Sequence, residues 1–226
     1  MDRLVTAAWL ALLAAIVALL AVPEGREWFA ASTTAHPFPM GMAKFALLGT
    51  MGELLGKRIV AGRWILAGIH LWQRVLVWAA FGAMFTVVFP LFSAGTEGLL
   101  AAGLLPGHGN VWATAFWKSC LMNVIFAFPM QVSHRITDTL IDRRQLFSRW
   151  PLVEVFVSID WPTMFRVAGA ACLWFWIPAH TVTFLLPPAF RLMSAALLAI
   201  ALGSILGLAR RRAAAPAPVP AIAPAP

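Results

Sequence analysis

The chain has 226 residues, of which 61% are hydrophobic and only 12% charged, with a formal net charge of +8. A soluble domain is nearer half apolar and a quarter charged, so composition excludes an ordinary water-soluble globule and points to lipid. The basic excess lies in short clusters between long apolar stretches, a distribution that suits topology and anionic lipid headgroups better than nucleic acid.

Six apolar stretches follow one another: Leu4–Val22, Met40–Val60, Leu71–Phe92, Val111–Val132, Val167–Leu186 and Ala189–Ala209. A helix needs roughly 20 apolar residues to cross a bilayer core of about 30 Å. Backbone groups in hydrocarbon find no water, so only helices and closed barrels span it. The stretches are continuous rather than alternating, which selects helices over barrel strands. The expected fold is all-α: a polytopic bundle of about six membrane-spanning helices, forming a single domain over residues 1–212 with a tail at 213–226.

Leu4–Val22 is longer than a signal-peptide core and has no A-x-A cleavage site after it, so it reads as a retained helix. Pro23–Pro39 reads as a polar outer loop. Met40–Val60 carries Gly41, Gly49, Gly52 and Gly56, and the last three share one helix face, where small residues let backbones approach closely in lipid. Glu53 sits beside that stripe and should point into the bundle. Lys57 follows it at i+4, the better order for an ion pair, and Arg74 enters the next helix from the same side. A Glu53–Lys57–Arg74 cluster is expected there, either as a structural network that fixes helix register or as part of a polar path.

The third stretch should end near Pro90. Ala94–Leu105 is too short to cross and reads as an interfacial or re-entrant piece. Lys118 lies near the outer start of the fourth span, where a lysine usually reaches back to the interface. Asn123 lies deeper and needs a partner across the bundle. Pro129 and Pro178 fall inside spans, and each frees a carbonyl one turn earlier, at Ile125 and Trp174.

Ser133–Arg166 reads as the longest loop. Its first half alternates charge with Ile136, Leu140, Ile141 and Phe147, the pattern of an amphipathic helix on the inner surface. Trp150–Pro151 and Trp161–Pro162 should break any longer helix. His180, beside Thr181, suits a hydrogen bond across helices. The last span repeats Ala195, Ala199, Gly203 and Gly207 at four-residue steps, a packing face. The Ala/Pro tail reads as disordered or transiently polyproline II.

Basic connections alternate with basic-poor ones. Lys57, Arg58 and Arg63 flank one, Arg135, Arg143, Arg144 and Arg149 occupy another, and Arg210, Arg211 and Arg212 follow the last span. The positive-inside rule then puts both termini in the cytoplasm, in a bacterial plasma membrane or, in a eukaryote, an organelle inner membrane. Trp28, Trp64, Trp72, Trp112, Trp150 and Trp161 lie near predicted ends, as an aromatic belt requires. Cys120 and Cys172 read as small buried hydrophobes.

Ionisable groups inside spans are costly and so mark functional candidates. Glu53, Arg74, Lys118, Asn123 and His180 are the candidates for a polar path, with Pro129 and Pro178 as helix kinks. No catalytic motif, metal-ligand spacing or cofactor signature occurs, so the chain does not read as an enzyme. A haem or quinone protein using His70 and His134 is the remaining redox alternative.

Three segments resemble the family named for MPV-seventeen and the twenty-two-kilodalton peroxisomal membrane protein. Leu47–Leu55 is similar to its Gly-Asp element, with Glu53 in place of Asp. Lys118–Pro129 keeps a lysine, a polar residue and a proline, with Asn123 where the family usually has Asp. Trp174–Arg191 resembles its Trp-Pro and Val-Pro-x-x-Tyr-Arg signature through Pro187, Phe190 and Arg191. The resemblance covers residues 40–209, with Leu4–Val22 additional. It implies a compact helical membrane bundle and, for some members, a weakly selective channel. The functional expectation is a bundle that passes or binds small solutes. The alternative is a non-transporting scaffold or accessory subunit, whose small-residue faces bind a partner membrane protein or a second copy.

Overall fold

The computed structural model describes residues 2–213, so the expected disordered tail lies outside the described residues. These residues form an all-α bundle. Its helices are α1 (Asp2–Ala21), α2 (Pro23–Ala35), α3 (Pro37–Ala61), α4 (Leu71–Ala101), α5 (Val111–Met122), α6 (Phe128–Asp142), α7 (Leu152–Val157), α8 (Trp161–Thr163), α9 (Ile177–Leu185) and α10 (Pro188–Ala213). A π-helical turn at Asn123–Ala127 joins α5 to α6, and two more, at Met164–Gly169 and Cys172–Trp176, lie between α8 and α9.

Five continuous helical stretches are long and apolar enough to cross a membrane: Asp2–Ala21, Leu71–Ala101, Val111–Asp142, Trp161–Leu185 and Pro188–Leu208. They fit an integral membrane protein. The sixth expected span is α3, which has the length but not the apolarity. Lys44, Glu53, Lys57 and Arg58 reduce its hydropathy, and α3 instead lies packed between α4 and α10.

The two small-residue patterns account for that packing. A Cβ at Gly52 would lie 2.9 Å from the Ala199 carbonyl oxygen, and one at Gly203 would lie 2.6 Å from the Gly52 carbonyl oxygen. Gly56 and Gly207 face each other in the same way one turn on. Backbone therefore meets backbone along α3 and α10, as small residues permit in lipid. The stripe on α3 is nonetheless split between two neighbours. Gly41 lies against Gly82 and Thr86 of α4, and Gly49 lies against Trp78 of α4.

Four expectations need correction. Pro23–Pro39 is not a loop, because α2 occupies most of it. Pro23 starts the helix with Glu24 in the first turn, both favourable at an N-terminus, and Arg26 donates to the Ala21 carbonyl at the end of α1 at 2.9 Å. The third span does not end at Pro90. Helix α4 runs through it to Ala101 and absorbs the segment read as re-entrant. Proline removes one helix hydrogen bond, a loss that membrane helices tolerate.

The amphipathic stretch after Ser133 is no separate surface helix, since α6 carries the fourth span on to Asp142. Leu140 and Ile141 are wholly buried, in a cluster with Val77, Phe81 and Val155. Pro129 and Pro178, expected as kinks, each follow a π-helical turn, which widens the helix just where the proline withdraws its donor.

Helix α1 covers one side of the bundle and buries no residue of its own. It is tied down at the end where the basic clusters gather. Trp64 donates its backbone N–H to Asp2 at 2.8 Å and its indole N–H to Thr6 at 2.9 Å. Trp9 donates to the Met51 carbonyl at 3.2 Å. Trp64 is thus a buried anchor rather than a belt residue, whereas Trp28, Trp72, Trp112 and Trp150 are exposed.

Candidate functional site

Arg74 organises the basic end. It lies in the first turn of α4, and its guanidinium is only 2% exposed. Nε donates to the Ile69 carbonyl at 2.8 Å, so the turn preceding α4 holds the side chain at its base. Nη1 donates to Glu53 of α3 and, at 2.9 Å, to Asp138 of α6. Nη2 donates to Asp142 of α6 at 2.5 Å. One guanidinium therefore ties three helices together, using the fork of donors that distinguishes arginine from lysine.

The partners sit where helical periodicity puts them. His134, Asp138 and Asp142 recur every four residues on α6 and so share one face. His134 Nδ1 lies 3.3 Å from Asp138, and its ring packs against Trp78 and Phe81. Trp78, one turn after Arg74, donates its indole N–H to the second oxygen of Glu53 at 3.1 Å. Lys57 adds a longer ion pair to Glu53 at 3.6 Å.

Glu53, His134 and Asp138 place potential metal-ligand atoms within 4.8 Å of one another. Arg74 already bonds both of the carboxylates, so a metal ion would compete with a guanidinium for them. A divalent ion there would face a fixed positive charge in a low-dielectric setting.

A second polar group lies deeper. Asn123, 1% exposed, opens the π-helical turn after α5. Its amide nitrogen donates to the Ser119 carbonyl at 2.8 Å and approaches His180 Nδ1 of α9 at 3.1 Å. Ser119 in turn donates to the Ile177 carbonyl at 2.7 Å. Trp176 stacks on the His180 ring at 4.7 Å, and Phe89 meets it edge-on at 5.6 Å.

Both groups line one cavity of about 560 Å³. It extends from Lys57, Asp142 and Arg210 at the basic end, along Gly52, Gly56 and Ala199, to Asn123 and His180. Four of the five polar-path candidates are therefore brought together: Glu53, Arg74, Asn123 and His180. Lys118 is not among the lining residues. It is buried and ion-paired with Glu97 of α4 instead of reaching the interface.

Neither Pro129, Pro178, Ile125 nor Trp174 lines the cavity, and the last two are exposed on the outer surface. The prolines shape the helices without opening carbonyls to this space. His70 stands in a left-handed conformation before α4, at φ 50°, and lies outside the cavity lining, whereas His134 lies inside it. The two do not share this site.

Sequence reasoning missed Asp138, Asp142, Trp78 and Trp176, and named His134 only as a partner for His70. The signal for the two aspartates was present: no glycine or proline interrupts the chain from Met130 to Arg149, so the span had no reason to stop at Val132.

No family model matches the chain, and neither a curated protein nor a solved structure matches it.

Proposed function

We propose that this chain is a multi-pass membrane protein that binds small solutes, and passes them, through the cavity between the Arg74 cluster and the Asn123–His180 pair. The carrying observation is that four polar residues from the helical bundle, Glu53, Arg74, Asn123 and His180, converge on one space rather than on four separate packing contacts. Intramembrane polar groups that face a shared cavity mark ligand paths, and about 560 Å³ lies within the usual range for a small-molecule site. Basic side chains gather at the cavity mouth, which the positive-inside rule assigns to the cytoplasm.

The scaffold reading has less support. The small-residue faces on which it rests are consumed by packing between α3 and α10 within the chain itself.

The test is flux into liposomes carrying the purified protein, with small neutral and anionic solutes and empty vesicles as baseline. Ala127→Trp places a bulky ring in the cavity wall and should suppress flux. Flux equal to that of empty vesicles, or an Ala127→Trp variant as active as the parent, would refute the reading.

A further inference from the structure

The closed end of the cavity specifies a ligand more narrowly than its mouth does. Resting on the reading of this cavity as a ligand site, we infer that it takes a lipid-soluble quinone, whose ring carbonyl accepts a hydrogen bond from His180 Nε2.

The neighbours of Nδ1 bear on the tautomer. The Asn123 side-chain atom 2.8 Å from the Ser119 carbonyl oxygen must be the amide nitrogen, since an oxygen there would face an oxygen. That nitrogen carries two hydrogens. One goes to the Ser119 carbonyl, and the other has Ser119 Oγ at 3.2 Å and His180 Nδ1 at 3.1 Å within reach, while the Asn123 oxygen lies 3.3 Å from the same Nδ1. The nitrogen is the nearer of the two amide atoms, and we take Nδ1 as its acceptor, with the ring proton on Nε2.

No described group bonds Nε2. His180 is 8% exposed and lines the cavity, and Nε2 is not among the fully buried side-chain atoms that lack a partner, so this nitrogen opens onto the space. A neutral acceptor on the ligand would bond an N–H there. A carbonyl supplies that acceptor.

The surroundings select a flat ring behind that carbonyl. Trp176 and Phe89 flank His180, and Phe85 and Phe126 line the same end. Stacking and edge contacts with such side chains favour an unsaturated planar ring. An apolar tail has its own exit. Toward the basic end, Met164 and Ala168 line one wall and Leu202 and Leu206 another, with little packing between the two segments. A ring held at His180 places a prenyl or alkyl tail between these walls. The inference concerns binding alone and includes no electron transfer.

The experiment is titration of the purified full-length protein, in lipid nanodiscs, with decylubiquinone and with menadione, followed by quenching of tryptophan fluorescence and confirmed by calorimetry. Saturable one-to-one binding of both quinones is expected. His180→Leu should weaken it by about tenfold, the worth of one hydrogen bond of roughly 1.4 kcal/mol. Ala168→Trp, which leaves the polar pair intact, should weaken decylubiquinone, with its alkyl tail, at least tenfold more than tailless menadione. Circular dichroism melts show whether each variant is folded, and Ala168→Trp keeps the test open should His180→Leu unfold.

Absence of saturable binding overturns the inference, as does a folded His180→Leu variant with parental affinity. Solute flux that persists without quinone binding overturns the quinone assignment alone and leaves the cavity reading standing. Loss of both removes the two together.

Discussion

Replacing Arg74 should be the most damaging single change at the basic end, and the geometry sets its size relative to its neighbours. Arg74 is 2% exposed, Glu53 13% and Asp138 21%. Arg74→Ala leaves the last two carboxylates on adjacent helices with no guanidinium between them. Removing one member of a buried ion pair typically costs about 3–5 kcal/mol, because the remaining charge stays desolvated.

Asp142 is 61% exposed, so Asp142→Ala removes a pair that water already screens and should cost less than about 1 kcal/mol. Glu53→Gln keeps an acceptor for Arg74 and for the Trp78 indole and should fall between the two, at about 1–2 kcal/mol. Chemical unfolding in mild detergent, followed by near-ultraviolet circular dichroism, ranks the three. Equal losses for Arg74→Ala and Asp142→Ala would refute the reasoning. A double variant, Arg74→Leu with Glu53→Leu, should lose less than the sum of its parts, since the two residues share one interaction.

Three further outcomes follow from individual contacts. Gly203→Ala should destabilise by about 1–3 kcal/mol, because its Cβ would stand 2.6 Å from the Gly52 carbonyl oxygen. Gly95→Ala on α4 meets nothing within 4 Å and should stabilise by about 0.5–1 kcal/mol through helix propensity; thermal melts in detergent read both. Lys118 and Glu97 should respond unequally, because the lysine is 6% exposed and the glutamate 59%. Glu97→Ala strands a buried ammonium and lowers the unfolding midpoint, whereas Lys118→Met leaves only an exposed carboxylate and shifts it little.

At the start of the Trp161–Leu185 stretch, Asp160 accepts a hydrogen bond from the Thr163 backbone N–H at 3.2 Å. Hydrogen bonding from Thr163 holds its carboxyl below the usual aspartate value. Its contribution is therefore complete above the unfolded-state value and lost as pH falls through the lower folded one. Asp160→Asn, which retains the cap, should flatten that acid-side loss in pH-dependent melts.

The fold class was legible because lipid imposes a coarse rule. Long continuous apolar runs must be helices; all six are, and five are long and apolar enough to cross a membrane. The small-residue steps at Gly52, Gly56, Ala199 and Gly203 also predicted close packing, though not that the two patterns would meet. What the sequence concealed was polar structure inside spans. Arg74, Asp138 and Asp142 satisfy one another, so α6 can stay helical and buried through a stretch whose composition resembles a surface. Hydropathy counts each charge as exposed to solvent and cannot register that cancellation. Lys118 misled for the same reason, because its partner Glu97 lies 21 residues earlier, at the far end of α4.

The same accounting of partners separates two roles within the cavity. At the mouth, Arg74 directs its donors to Ile69, Glu53, Asp138 and Asp142, and Glu53 also receives Trp78 and Lys57. That cluster is satisfied by the protein alone, so its first effect is to fix α3, α4 and α6 in register and hold the mouth in shape. At the deep end, His180 meets Asn123 through Nδ1, and no described group bonds Nε2. On the proposed reading, ligand recognition belongs to the deep pair, and the charged cluster acts on it through geometry. Substitutions at Arg74 should move stability first and ligand affinity only as the cavity deforms, whereas His180→Leu in a folded protein should move affinity with a much smaller change in unfolding. If the two classes of variant shifted stability and affinity in the same proportion, this division of labour would be wrong, and the whole cavity would behave as one structural network.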